Sequence, residues 1–477
     1  MIARWGTAVR HSAALAAVLS FVIPGLGHLL SGAVRRGALL ALPVLALGIG
    51  GFVLLSSLGT ARSLGLLLQP GVLLGIVALN AILLAYRLGA ILDAYSLASL
   101  SGPARGGQAT RLASLGLLGV VLATTMGMHA WIGFVGVKTY DTVTTVFAGA
   151  PTPSPSPQPT QPPSLGPSVT PLPTPAPTPR LTWDSNGRLD LLLVGGDAGP
   201  GRWSLRTDSM ILLSVDLETG RAALFGIPRN LINVPLPPES ADAFACGCFP
   251  EIINGLWVYA AAHPEFFPGD DDRGYRALQG AIGVMTNRPI DGMVVVTLHG
   301  FVRLVDALGG IDITVPNNIY DYNYPLPDGS GNIQLYIPKG FQHMDGKMAL
   351  AYARTRHQDN DYNRMQRQQQ VLLAMRRTIN PCTLVVRIPE LLDIASETFW
   401  TNLDIADLPD ILALAARVEP SKIASYYFWP PEIPERLNDA ALAKIRLMTR
   451  SPFDAEPSAI PGPSGEPTPL PTPGPIC

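Results

Sequence analysis

Arginines and carboxylates recur in this sequence at spacings that suit recognition of a diphosphate. Asp197 follows an apolar run that ends at Gly196, Arg206 and Asp208 stand two apart, and Arg229 closes the tetrapeptide Gly226-Ile-Pro-Arg229. Further on, Arg354 and Arg356 precede His357, Asp359 and Asp361, and Arg364, Arg367 and Gln368 follow at i, i+3 and i+4. That spacing puts the last three side chains on one helix face. A guanidinium fork matches two phosphate oxygens at once, and carboxylates such as Asp197 and Asp208 can hold a Mg²⁺ that bridges phosphoryl groups. Taken singly, each of these charges is more often a solvated ion pair of little energetic weight. Their positions beside strand ends and on one helix point instead to a pyrophosphate clamp. His357 and Asp359 are read as solvated or structural. No Ser-His-Asp order or nucleophile elbow accompanies the cluster, and Gly195-Gly196 alone is a weak phosphate-loop signal.

Strands must position these groups. Leu189 to Val194 is a continuous apolar run of buried-strand type, Met210 to Val215 is a second strand, and Arg221 to Ile227 a third, joined to the second through the turn Glu218-Thr-Gly220. Tyr275 to Met285 reads as a helix, Gly292 to Leu298 as a strand, Gly300 to Leu308 as a helix closed by Gly309-Gly310, and Ile311 to Val315 as another strand; 364–377 reads as a helix. Such alternation predicts a sheet covered by helices on both faces. Asp197 then lies just past the C-terminal end of the first strand, where ligands of α/β sheets usually bind.

The chain has 477 residues, 47% of them hydrophobic and 15% charged, so part of it belongs in lipid. Its net charge of −2 excludes wrapping of a nucleic acid by a broad cationic surface. Apolar runs occupy 12–31, 36–57, 64–86 and 112–137. The first is broken by Pro24-Gly25 and Gly27-His28 and reads as a bent helix or a hairpin that dips in and returns; the glycines mark a helix-packing break, with a polar site in the membrane lined by His28 and the glycines as the alternative. The other three approach the roughly 20 residues of a spanning helix. Basic residues at the N-terminus, at Arg35-Arg36 and at Arg87, Arg105 and Arg111 favour three crossings, which places residue 138 onward outside the cell. The expected organisation is a membrane region over 1–137, a Pro/Ser/Thr-rich linker over 138–185, an α/β domain over 186–450 and a disordered Pro-rich tail over 451–477. Four cysteines, Cys246, Cys248, Cys382 and Cys477, are too few for a disulfide scaffold and lack zinc-site spacing. In an oxidising compartment Cys382 could bridge to Cys246 or Cys248, or stay free.

Four blocks of this sequence resemble the LytR-CpsA-Psr family. They are Leu191 to Asp197, Arg206-Thr-Asp-Ser209 with Gly226-Ile-Pro-Arg229, Leu304 to Ile311, and Gly346 to Arg356 continuing through Arg364 to Gln368. The resemblance implies a three-layer α-β-α sandwich, with a hydrophobic tunnel for a polyprenyl chain. It implies transfer of a glycopolymer from a polyprenyl-pyrophosphate carrier to the cell wall, peptidoglycan or a similar acceptor, outside the membrane. By the same resemblance, Asp197 and Asp208 take Mg²⁺, and Arg206, Arg229, Arg354, Arg356, Arg364, Arg367 and Gln368 hold the diphosphate. Arg206, Asp208 and Arg229 are the expected catalytic residues. An acceptor hydroxyl is expected to attack the anomeric carbon while polyprenyl phosphate leaves, with fixed arginines and Mg²⁺ stabilising the departing charge. Two features depart from the family: Asn230 stands where an acid often follows the arginine, and the membrane region exceeds a single anchor. The same residues could serve a polyprenyl-pyrophosphate hydrolase, or a non-catalytic receptor for lipid-linked glycans.

Overall fold

The structure is a computed structural model, and it describes residues 13–101, 108–147, 187–196, 207–269, 273–326, 331–355, 361–378, 387–419 and 423–454. Two compact units make up the chain, one helical and one α/β. In the helical unit, α1 (Ala13–Val22) and α2 (Leu26–Leu30) are separated by a break at Pro24-Gly25, where Gly25 has φ +94°. The long α3 (Val34–Leu58), a short α4 (Thr60–Leu67), α5 (Pro70–Ser101) and α6 (Gln108–Val146) follow. α3, α5 and α6 are each long and apolar enough to cross a membrane. The apolar run expected at 64–86 is divided differently. Gly59 and Pro70 bound the short α4, and the spanning helix begins at Pro70, whose fixed φ and missing N–H suit a first helical turn.

The glycines of the first segment permit close approach. A Cβ at Gly25 would lie 2.1 Å from Gly37 O, and one at Gly27 would lie 2.0 Å from Ala16 O. The packing break therefore forms as expected. It also encloses a polar cluster that packing alone does not require: buried His28 places Nε2 2.7 Å from Asp93 Oδ2, and Arg36 Nη2 donates to Asp93 Oδ1 at 2.7 Å.

The α/β unit centres on a six-stranded mixed sheet. From residue 188 onward the elements in chain order are β1 (Arg188–Gly196), β2 (Thr207–Asp216), β3 (Ala222–Gly226), β4 (Val234–Pro235), β5 (Cys248–Phe249), α7 (Leu256–Ala262), α8 (Arg273–Thr286), β6 (Gly292–Thr297), α9 (Leu298–Ala307), β7 (Ile311–Val315), β8 (Ile319–Pro325), β9 (Asn332–Ile337), β10 (Gly340–Met344), α10 (Gly346–Arg354), α11 (Asp361–Thr378), α12 (Ile388–Thr398), β11 (Phe399–Thr401), α13 (Leu408–Arg417), whose first six residues group with the helical unit, β12 (Ile423–Tyr427) and α14 (Asp439–Arg450). The sheet order is β11-β6-β1-β2-β3-β12. β1, β2 and β3 form an antiparallel meander, while β6 runs parallel to β1 and β12 parallel to β3. The predicted strand Ile311–Val315 forms, but it pairs with β10 outside this sheet.

Alternation along the strands builds two interiors. Leu192, Val194, Met210, Leu212 and Phe225 point to one face, where Leu278, Ile282 and Met285 of α8 and Ile445 and Met448 of α14 cover them. Val305, Ile311, Tyr352 and Val371 belong to a second core, built by α9, α10 and α11 with the small sheets. Helices on both faces of the sheet give the α-β-α layering that was expected. Cys246 is disulfide-bonded to Cys248 within one tight loop, which rules out the alternative in which either bridges to Cys382; Cys382 itself lies outside the described residues.

Candidate functional site

Strand direction gathers the site at one end of the strands, across the sheet. β1, β3, β6 and β12 all end there and β2 begins there, because Gly196 pairs with Thr207 and Thr297, and Tyr427 pairs with Gly226. Asp208 is therefore the second residue of an incoming strand, and Arg229 emerges three residues past the end of β3. Asp197, Arg206 and Arg356 lie outside the described residues, so the site is built here from the others.

Asp208, Arg229, Arg354, Arg364 and Gln368 line one cavity of about 310 Å³, together with Gly195, Gly196, Ser209 and residues of the β8–β9 hairpin such as Asp321, Asn323, Tyr324 and Asn332. A chain of ion pairs organises its floor. Arg229 Nη1 donates to Asp208 Oδ1 at 2.6 Å and its Nε lies 3.4 Å from Asp361 Oδ2. Asp361 Oδ1 in turn lies 3.1 Å from Arg364 Nη1, and Arg364 Nη2 donates to the Asp208 carbonyl at 3.3 Å. Burial pulls the Arg229 guanidinium pKa down, but the hydrogen bond and charge of Asp208, with those of Asp361, outweigh it and hold the group above its usual value. Arg229 stays cationic at any physiological pH.

Arg354 is the last residue of α10, and its Nη1 is buried with no hydrogen-bond partner. A buried guanidinium nitrogen without an acceptor is costly, and an incoming anion would satisfy it. Beside it, burial raises the pKa of Tyr324, opposed by the charge and hydrogen bond of Arg354. Gln368 accepts from Ser209 Oγ at 3.0 Å, which links α11 to β2.

Arg367 departs from the predicted shared face. Its Nε donates to Tyr352 O at 2.8 Å and its Nη2 to Thr355 O, so the guanidinium serves buried carbonyls at the C-terminus of α10. It does not line the 310 Å³ cavity, whereas Arg364 and Gln368 do. Helical periodicity sets Arg364, Arg367 and Gln368 on neighbouring positions of α11, and the end of α10 packs against the one that Arg367 occupies.

Several participants had no assigned role in the sequence. Asp361 is the pivot between Arg229 and Arg364, and its i, i+3 spacing to Arg364 was the available signal. Asp321 is 2% exposed, lines the cavity and accepts from Thr355 Oγ1 at 2.7 Å; nothing local in the sequence announces a hairpin folding over the site.

A second cavity of about 130 Å³ adjoins the first. Leu193, Ile211, Val296, Phe301, Leu350, Val371 and Leu372 line it between the sheet and α9, α10 and α11. Gly195, Ser209, Leu298, Arg354 and Gln368 line both cavities. Among the described residues no group of three or more His, Cys, Asp or Glu side chains converges as a metal cage.

Fold and site together define a class: an α/β domain whose arginine-lined cavity opens onto an apolar one, in a chain with helices long enough to span a membrane. The chain belongs to the LytR_cpsA_psr family, whose model matches residues 169–429, more than half of its length. It is 25% identical over 230 residues to Biofilm regulatory protein A of Streptococcus mutans, covering 46% of this chain and 52% of that protein. It is 28% identical over 204 residues to the Polyisoprenyl-teichoic acid--peptidoglycan teichoic acid transferase TagV of Bacillus subtilis, covering 42% of this chain and 46% of that one. The chain thus spans about half the length of these curated relatives. The crystal structure of B. subtilis TagV aligns with 57% of this chain and 98% of its own, at 23% identity and a TM-score of 0.41.

Proposed function

We propose that this chain is a transferase that moves a glycopolymer from a polyprenyl-pyrophosphate carrier onto a cell-wall polymer outside the membrane and releases polyprenyl phosphate. The observation that carries this reading is the pair of joined cavities. One ligand with a phosphate head and a hydrocarbon tail fits an arginine-lined space that shares five residues with an apolar one. At about 130 Å³ the apolar cavity has room for roughly four water volumes, enough for the start of a prenyl chain. The TagV relative is named for transfer of teichoic acid to peptidoglycan, which supports a wall polymer as acceptor. The Cys246–Cys248 disulfide fits an oxidising compartment, and the basic loops of the helical unit favour the same orientation.

Atom balance corrects one expectation. Attack at the anomeric carbon would expel polyprenyl diphosphate. Release of the monophosphate requires the acceptor oxygen to attack the phosphorus that carries the sugar, forming a P–O bond and breaking the bridging P–O–P bond. The glycan then arrives with its phosphate, and the hydroxyl proton leaves to solvent or a base. Arg229, Arg354 and Arg364 hold phosphoryl oxygens and stabilise charge on the leaving phosphate, while Asp361 fixes the orientation of Arg229 and Arg364. Asp208 lines the same cavity with its side chain 42% exposed, so a diphosphate would enter beside a like charge. A hard divalent cation suits carboxylate and phosphoryl oxygens, and Asp208, with Asp197, would hold Mg²⁺, which would supply charge neutralisation on the phosphoryl oxygens.

Equilibrium binding to the full-length chain in detergent tests the two-part site. Farnesyl diphosphate is expected to bind more tightly than either inorganic pyrophosphate or farnesol, and Arg229→Ala to remove the gain from the diphosphate. Equal affinity for farnesol and farnesyl diphosphate would remove the clamp from the site.

A further inference from the structure

β12 ends in a sequence that the core explains only in part. Phe428 is fully buried and stacks on Phe225 at 6.0 Å, while its neighbours Tyr427 and Trp429 turn to the other side and remain partly exposed. There Tyr427 stacks on Trp429, with ring centroids 4.7 Å apart and planes 19° apart, and Tyr362 meets Trp429 edge-on at 5.7 Å. Polar groups border these rings. Tyr362 Oη donates to Glu435 Oε1 at 3.1 Å, and Asn230 Nδ2 donates to the same oxygen. Burial first, then the hydrogen bond and charge of Glu435, push the Tyr362 phenol up to about 12, so it remains a neutral donor.

The position of this group follows from the clamp. Asn230 is the chain neighbour of Arg229, and Tyr362 the chain neighbour of Asp361, the two members of the 3.4 Å ion pair. Tyr427 packs against Gly226, where an added Cβ would lie 3.0 Å from its ring. None of the three aromatic rings lines either cavity, so the platform borders the clamp without occupying the space assigned to the lipid.

Resting on the transferase reading, we infer that Trp429, backed by Tyr427 and edged by Tyr362, forms the floor of a pyranose subsite for the sugar attached to the diphosphate. A pyranose presents an apolar C–H face, which complements the negative face of an aromatic ring, and equatorial hydroxyls, which suit Glu435 and Asn230 at the rim. A lipid tail has no hydroxyl to offer Asn230 Oδ1, which is buried without a hydrogen-bond partner. A pyranose held here sits beside Arg229 and Asp361, the chain neighbours of Asn230 and Tyr362.

The test measures binding of two probes to the full-length chain in detergent micelles: farnesyl diphosphate, and the same lipid diphosphate carrying one N-acetylglucosamine. Wild type is expected to bind the glycosylated probe more tightly. Trp429→Ala is expected to weaken that probe by roughly tenfold and leave farnesyl diphosphate unchanged, while Trp429→Phe retains most of the gain. Tyr362→Ala gives the same selective loss at a more peripheral position, and unchanged farnesyl diphosphate affinity certifies the fold of each variant. Equal weakening of both probes, or no sugar-dependent gain in wild type, overturns the sugar subsite while leaving the clamp intact. Failure of wild type to bind either probe overturns the clamp and the subsite together.

Discussion

Replacing Arg367 separates scaffold from clamp. Arg367 is 6% exposed, and its guanidinium bridges Tyr352 O, at 2.8 Å, and Thr355 O. Hydrogen bonds to a charged group contribute about 1.5–3 kcal/mol each, and their loss leaves two carbonyls at a helix C-terminus without their cation. Relief of the desolvated charge offsets part of this, so Arg367→Ala should cost the α/β unit about 3 kcal/mol net. In a domain of this size that corresponds to a melting temperature lower by about 10 °C. Arg367→Lys should recover only part of the loss, because a single ammonium cannot reproduce the fork. The assay is thermal unfolding of the full-length chain by near-UV circular dichroism, paired with farnesyl diphosphate binding well below the transition. Scaffolding predicts a large fall in melting temperature with binding retained at low temperature. A melting temperature within about 2 °C of wild type, together with lost binding, would refute it and return Arg367 to the clamp.

Further outcomes follow from the same geometry. Arg229→Ala should weaken diphosphate binding by about 10- to 100-fold, the equivalent of one or two charge-assisted hydrogen bonds, as read by titration calorimetry. Chelation of divalent cations should weaken binding in wild type and have little effect in Asp208→Asn, which carries less like charge beside the ligand. Leu350→Trp should fill the apolar cavity and abolish the advantage of farnesyl diphosphate over pyrophosphate, without changing affinity for pyrophosphate itself. Asp291 is raised to about 6 by burial and by the charge of Asp190, against the hydrogen bond from Asp190 N. Its folded-state value exceeds the unfolded one, so its stabilising proton is fully held below the usual carboxylate range and lost as pH rises through about 6. Asp291→Asn should therefore raise the melting temperature at pH 8 and leave it unchanged near pH 4.

The strands that carry the site were legible because their cores are continuous apolar runs bounded by glycine. Arg188–Gly196 and Thr207–Asp216 enclose the runs read at Leu189 to Val194 and Met210 to Val215, and Gly292–Thr297 and Asp361–Thr378 lie close to their predicted bounds. That Asp208, Arg229, Arg364 and Gln368 come together around one cavity was readable from their places beside strand ends and on one helix face. What escaped was long-range. The edge strands Phe399–Thr401 and Ile423–Tyr427 are short and owe their conformation to pairing with β6 and β3. The turning of Arg367 toward Tyr352 O depends on where another helix ends, and the cover provided by Asp321 and Asn323 depends on how a hairpin folds back. In the helical unit, the glycine break was plain from Pro24-Gly25, but the partnership of His28 with Asp93 spans 65 residues and has no local signature.

The most direct test incubates the full-length chain, reconstituted in liposomes, with Mg²⁺, a polyprenyl-diphosphate-linked glycan and purified cell-wall fragments. Wall-bound glycan is measured alongside released polyprenyl phosphate in wild type and in Arg229→Ala. Equal amounts of attached glycan and released lipid phosphate, joined through a phosphodiester and lost in the variant, are predicted. Lipid phosphate released without attachment would instead make water the acceptor and the chain a hydrolase, and tight binding without turnover would make it a receptor for lipid-linked glycans.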